Sequence, residues 1–350
     1  MSSRTRDGGT SGGLLARHVA AAAAALEGVV ERTPMLSSPA LDAAVGAEVV
    51  CKAENLQRTN SFKFRGAYYH LLALSGERRG RGVVGASSGN HAQALALGGR
   101  LLDAPVHVVV PEDLPDVKLA AIARLGADIV TYRRGVDDRD RIVARLAHTH
   151  GLAVVPSADS LAVMAGAGTV GLELMQDAPG VGALLVPVGG GGLAAGCATV
   201  VTTHYPGVKV VGVEPAAGND TLLSLRAGQL MAVPPPSTIA DGLRHTAPAA
   251  GPFMINQRLL HDVVTVTDDE IAAAMALAFQ HLKVVVEPSG ATALAALLAG
   301  KAPVGSGRTG VILSGGNVDW TAYRSLTNGK MSHALPGLRG NGASLRQHRA

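Results

Sequence analysis

Asn60-Ser61-Phe62-Lys63-Phe64-Arg65-Gly66-Ala67 sets a lysine directly after an aromatic residue, with a hydroxyl before it and Arg-Gly-Ala beyond it. Lysine is scarce here: Lys52, Lys63, Lys118, Lys209, Lys283, Lys301 and Lys330 are the only ones among 31 basic residues. A chain that uses arginine for surface charge but keeps a lysine beside Phe62 points to an amine that must lose its proton. Desolvated lysine can do that and arginine cannot. The chemistry that most needs such an amine is a Schiff base with a carbonyl cofactor, pyridoxal phosphate above all. An amphipathic helix start with a snorkelling lysine would use the same residues.

Four further clusters carry chemistry. Gly189-Gly190-Gly191-Gly192 follows an apolar run and opens a helical pattern. Consecutive glycines let backbone N–H groups converge on an anion, so the loop reads as a phosphate cradle. It has no Gly-Lys-Ser/Thr of a nucleotide-binding loop, and it does not match the dinucleotide fingerprint. Ser87-Ser88-Gly89-Asn90-His91 opens another helix, where hydroxyls and N–H groups suit a carboxylate; an ordinary cap would also use them. Ser314-Gly315-Gly316-Asn317 follows a strand, at the end where α/β folds place ligand contacts. Glu214 and Asp220, with the carbonyl of Gly218, could hold Mg²⁺, Mn²⁺ or Ca²⁺, or form a polar loop.

The elements that must position these residues alternate. Apolar strand patterns are expected at 48–52, 82–85, 106–110, 128–131, 153–155, 183–188, 208–213 and 310–313. Most lack polar alternation, as strands covered on both faces do. Helices are expected at 90–101, 117–125, 137–150, 161–175, 193–204, 269–282 and 289–298. Thr267-Asp268-Asp269-Glu270 is a capping-box start. This alternation predicts an α/β fold with mainly parallel sheets. The 350 residues, 47% hydrophobic, suit one large or two medium domains. The net charge of +4 comes without a basic block, and aromatics are 3%, which argues against nucleic-acid binding. No run reaches the ~20 apolar residues of a membrane span. Cys51 and Cys197 read as buried thiols in a reducing, cytoplasmic setting.

These pieces in this order resemble the fold-type II pyridoxal-phosphate enzymes, specifically the threonine/serine dehydratase and serine racemase family. The resemblance runs from about residue 23 to 326. It includes Arg32-Thr33-Pro34-Met35, Lys52 through Gln57, the lysine motif, 87–93, Gly126-Ala127-Asp128, the glycine loop, 238–242, Glu287-Pro288-Ser289-Gly290-Ala291 and 314–317. It implies two open twisted α/β domains with the site between them. A small domain at 82–159 would be inserted in a large one formed by 21–81 and 160–330, with flexible tails at 1–20 and 331–350. It implies that Lys63 binds the cofactor covalently and then acts as base at Cα. Phe62 would lie against the cofactor ring, Asn90 would bond its 3′-oxygen, and Gly189 to Gly192 would hold its phosphate. Ser314 would face its pyridine nitrogen. Ser87, Ser88, Asn90, His91 and Arg139 would contact the amino-acid substrate, with Ser88 on the face opposite Lys63. The implied activity is L-threonine/L-serine ammonia-lyase, with serine racemase through Lys63 and Ser88 as the alternative, and a non-catalytic cofactor-binding protein further off. A homodimer is the family expectation, and the Glu214/Gly218/Asp220 set resembles the metal-binding branch. Two positions depart from the family: Asn60 stands where glycine is common, and His245 lies where a small hydroxyl often does. Both bear on substrate identity.

Overall fold

The computed structural model describes residues 11–87, 89–114, 116–302 and 307–330. Among the described residues, ten strands form two sheets. They are β1 (Met35–Leu36), β2 (Val49–Ala53), β3 (Val83–Ala86), β4 (Val106–Pro111), β5 (Asp128–Tyr132), β6 (Ala153–Val154), β7 (Val181–Pro187), β8 (Lys209–Pro215), β9 (Asp262–Val266) and β10 (Arg308–Leu313). A six-stranded sheet has the order β1-β2-β10-β7-β8-β9; a four-stranded one has β5-β4-β3-β6. Every pairing is parallel except the short β1 against β2. β7 and β10, in the middle of the larger sheet, are buried through most of their length because helices cover both faces.

The helix that begins at the lysine, Lys63–Ala73, is held between two others. On one side it meets helix Leu161–Asp177, where backbones touch: a β-carbon on Gly66 would lie 2.7 Å from Val163 O, and one on Gly166 would lie 2.5 Å from Arg65 O. On the other it meets helix Asn90–Leu101, with Leu71 packed where a Gly98 side chain would be. Small residues permit this approach, and the helix thereby joins the two sheets.

Most expected elements form within one or two residues, the usual fraying of helix and strand ends. Three differences have physical causes. Residues 11–26 form a helix rather than a flexible tail reaching residue 20. Leu15, Val19, Ala22 and Leu26, spaced by four, three and four, are buried in a core cluster with Phe64 and Val200. The Ser/Gly-rich start masked that stripe. Strands β1 and β9 lie at the two edges of the larger sheet; two and five residues long, they carry little pattern of their own. The helix expected at 269–282 is α-helical only over Asp268–Leu277 and then widens into a π turn, Ala278–Leu282, ending at Lys283 with φ of +61°. The expected tail at 331–350 lies outside the described residues.

Candidate active site

Lys63 is the first residue of its helix, and the backbone before it is pinned to the end of β10. Phe62 N–H donates to Ser314 O at 3.1 Å, Gly316 N–H donates to Asn60 O at 2.9 Å, and Ser61 bridges Gly315. The lysine and Ser314 are therefore held together by main chain. The Lys63 amine donates to Ser157 O at 2.7 Å and lies 5.0 Å from the centre of the Phe62 ring. Burial without an acidic partner pushes it down to about 8.

Beneath that helix lies a buried ionic network. Arg65 donates bidentately to Glu54 (2.8 and 2.7 Å) and to Glu173 (2.6 and 2.9 Å), and also to Thr169 Oγ1 and Glu31 O. Lys52 donates to Thr33 O and pairs with Glu173, both at 2.7 Å. Each charge has several partners, as a buried ion requires.

The glycine loop follows β7 and opens helix Gly192–His204. Side chains are excluded all along it. β-Carbons at Gly189, Gly190, Gly191 and Gly192 would approach His245 Cε1 (2.9 Å), Ala158 Cβ (3.0 Å), Asn256 Nδ2 (2.7 Å) and Ala158 O (3.0 Å) respectively. Gly191 has φ of +85°, and Asn256 Nδ2 fixes its carbonyl at 3.1 Å. A bare main-chain cradle at a helix N-terminus fits a phosphate monoester. It meets the lysine through one short segment: Ser157 accepts from the amine, and Ala158 packs on Gly190 and Gly192.

Asn90 begins helix Asn90–Leu101 and is doubly engaged. Its Nδ2 donates to Glu287 Oε1 at 2.5 Å, and its Oδ1 accepts from Asn317 Nδ2 at 2.7 Å. Asn317 also donates to Thr59 O at 2.8 Å and accepts from Asn60 at 3.2 Å. Burial, then the charge of Asp241, pushes the Glu287 carboxyl up to about 8, so it is mostly protonated at neutral pH. Ser87 Oγ accepts from Gly89 N–H at 3.1 Å, shaping the same helix start. The His91 side chain turns away: its Nε2 pairs with Val155 O at 3.0 Å, and burial, then Lys63, pushes it down to about 3. The nitrogen facing a carbonyl must carry the proton, so only the backbone N–H of His91 is left for a carboxylate. Ser88 lies outside the described residues.

The remaining expected residues stand apart. Arg139, half-exposed at the start of helix Arg139–His150, pairs with Asp140 at 3.0 Å. Both Glu214 carboxylate oxygens accept main-chain N–H groups, from Thr221 and Leu222, at 2.9 Å. Asp220 Oδ2 is buried without a partner among the described residues. Burial pushes both acids up to about 7, the repulsion of Asp220 adding to it at Glu214. Gly218 N–H donates to Pro215 O, closing the loop between them.

Sequence reasoning placed Glu287 and Asn317 in motifs without a role. Only the tertiary contact with Asn90 reveals one, because they lie 197 and 227 residues away. Asn256 gave no signal in the sequence; it acts through a single carbonyl 65 residues earlier.

Comparisons with known proteins agree on one family. A family model described as "Pyridoxal-phosphate dependent enzyme" matches residues 11–315. The L-threo-3-hydroxyaspartate ammonia-lyase of Saccharomyces cerevisiae is 43% identical over 301 residues, covering 86% of this chain and 92% of the relative. The serine racemase of Schizosaccharomyces pombe is 38% identical, covering 87% and 94%. The structure of the processed form of threonine deaminase isoform 2 from Solanum lycopersicum superimposes with a TM-score of 0.86 at 32% identity, covering 92% and 90%.

Proposed function

Because the chain belongs to the pyridoxal-phosphate-dependent enzyme family, we propose that it is an ammonia-lyase that converts a 3-hydroxy amino acid into a 2-oxo acid and ammonia. The observation that carries the reading is the Lys63 amine, held down to about 8 and joined through Ser157 and Ala158 to the bare glycine loop. When bound, the cofactor supplies an electron sink for negative charge at Cα.

The chain's own residues do the rest. The glycine-loop N–H groups would hold the phosphate, and Phe62 would pack against the cofactor. Asn90, fixed by Glu287 and Asn317, would offer it a hydrogen bond. Ser314 would offer the pyridine nitrogen a hydroxyl, which would not enforce a protonated ring as a carboxylate would and so would favour loss of the β-hydroxyl over transamination. Ser87 and the backbone N–H groups of Asn90 and His91 hold the α-carboxylate at a helix start. Lys63 takes the Cα proton and returns a proton to the departing β-hydroxyl, which leaves as water; the released enamine tautomerises and is hydrolysed to the 2-oxo acid and ammonia. Residues 82–159 act as a small domain that closes on 21–81 and 160–330 and excludes water. The test is 2-oxo acid release from serine, threonine and 3-hydroxyaspartate, with Lys63→Ala as control. A holoprotein with cofactor absorbance but no turnover of any of them would sink the reading.

Serine racemisation is the second reading, favoured by the relatives named serine racemase. It needs an acid on the face opposite Lys63, for which Ser88 is the candidate. Racemisation that persists unchanged in Ser88→Ala would remove that role. The unpartnered Asp220 oxygen beside Glu214 supports a divalent cation, Mg²⁺ or Mn²⁺, at Glu214, Gly218 and Asp220. The two buried free thiols support a reducing compartment such as the cytoplasm, and no helix among the described residues is long and apolar enough to cross a membrane. The exposed Phe279 and Trp320, on elements joined by the Phe279–Tyr323 ring contact, offer apolar surface for a homodimer.

A further inference from the structure

A cleft of about 440 Å³ opens where helices Ser11–Leu26, Lys63–Ala73 and Leu161–Asp177 meet the β6 edge of the smaller sheet. Its size is that of a small-molecule site, and none of its lining residues belongs to the site above. One side is basic. His18, His70 and Arg78 line it, and no acidic residue among the described ones does. The side chains of His18 and Arg78 have no hydrogen-bond or ion-pair partner among the described residues; Arg78 donates only its main-chain N–H, to Ser75 Oγ. The other side is apolar, with Tyr69, Val154 and Leu161. Burial, then the charge of Arg78, pushes His70 down from its usual range, as happens where cations gather without a carboxylate. An anion would relieve that repulsion, and the apolar wall would take an apolar body attached to it.

The cleft lies behind the lysine. His70 stands two turns after Lys63 on the same helix, and its Nδ1 pairs with Ser160 Oγ at 2.9 Å. Three residues before Ser160, Ser157 O receives the Lys63 amine at 2.7 Å. The helix and the 157–160 segment are thus tied twice, once at the lysine and once at the cleft. A neutral imidazole has one N–H for two nitrogens. An anion that accepts from Nε2 leaves Nδ1 to accept from the Ser160 hydroxyl, so a ligand sets the direction of that bond. We propose that this cleft is an effector site for an organic anion, a carboxylate or phosphate monoester on an apolar body. The head group pairs with Arg78 and His18 and accepts from His70. The body lies on Tyr69, Val154 and Leu161, and occupancy acts on Lys63 through Ser160 and Ser157. The inference rests on the cofactor being held at Lys63, not on which amino acid reacts there.

Calorimetry on the holoenzyme, whose phosphate cradle is filled, compares phenyl phosphate and benzoate with two controls: inorganic phosphate, which has no apolar body, and benzyl alcohol, which has no charge. Wild type is expected to bind phenyl phosphate or benzoate about tenfold or more tighter than either control, and the better of the two identifies the head group. Arg78→Met, at an exposed side chain, should weaken that binding about five- to tenfold, and Arg78→Lys should recover part of the loss. The cofactor's absorbance band reports on the surroundings of the Lys63 amine. It is expected to change on saturation of wild type and to change little in Arg78→Met at the same ligand concentration. Binding of both anions no tighter than the controls, or an affinity in Arg78→Met within about twofold of wild type, overturns the proposal. A change in the band of equal size in Arg78→Met places the ligand at the substrate's carboxylate anchor and overturns it too. Tight binding that leaves the band of wild type unchanged overturns the effector role.

Discussion

At Lys63 the governing quantity is the cost of a charge beside Phe62 with only a carbonyl, Ser157 O, as partner. The neutral amine is the form that captures a carbonyl cofactor. The rate at which apoprotein takes up pyridoxal phosphate should therefore rise with pH through about 8, the midpoint of deprotonation, and level off once the amine is fully neutral above it; Lys63→Ala should show no such capture, and stopped-flow absorbance reads both. Glu287 has the opposite sign. Its carboxyl is raised from 4.5 to about 8 in the fold, so the native state binds the proton more tightly than the unfolded chain. Its contribution to stability is complete below 4.5 and is lost as pH rises through about 8. Glu287→Gln should flatten the fall of apoprotein Tm across that window without abolishing it, because Glu214 and Asp220 shift the same way.

At the scale of elements, the glycine loop is decided by what surrounds it. Gly191 combines a left-handed backbone with a β-carbon position 2.7 Å from Asn256 Nδ2. Gly191→Ala should meet both penalties, the backbone one alone being about 1–2 kcal/mol. Cofactor affinity is expected to weaken by about tenfold or more while far-UV circular dichroism stays native; unchanged affinity in fluorescence titration would count against the cradle. The sequence showed four glycines between a strand and a helix, which is a cradle or a turn. Asn256, Ala158 and His245, which exclude side chains from it, come from segments 30 to 65 residues away and have no local pattern linking them to the loop.

Over the whole molecule, the lysine helix is the joint between the two sheets, and the Arg65 network holds it from below. Arg65→Met removes the shared partner of Glu54 and Glu173 and leaves Glu54 buried without its ion pair. Breaking such a pair costs about 3–5 kcal/mol. Denaturant midpoints should fall accordingly, and much more than for Arg134→Met, whose pair with Asp113 is exposed. Equal falls in the two variants would remove the network from the account.

The sequence by itself determined the parallel α/β order, the lysine motif, the glycine loop and the serine at the end of β10. Strand runs and helix starts are local signals, written within a few residues of one another. It also held the apolar stripe at 15, 19, 22 and 26, which the surrounding glycine and serine obscured. The tertiary structure alone decided which groups meet. Main-chain bonds pin Phe62 to Ser314, Asn90 finds Glu287 and Asn317, the His91 side chain turns to Val155, and His245 comes to rest on Gly189. Each of those contacts joins segments tens to hundreds of residues apart. Burial and hydrogen-bond satisfaction select them only when both sheets are in place.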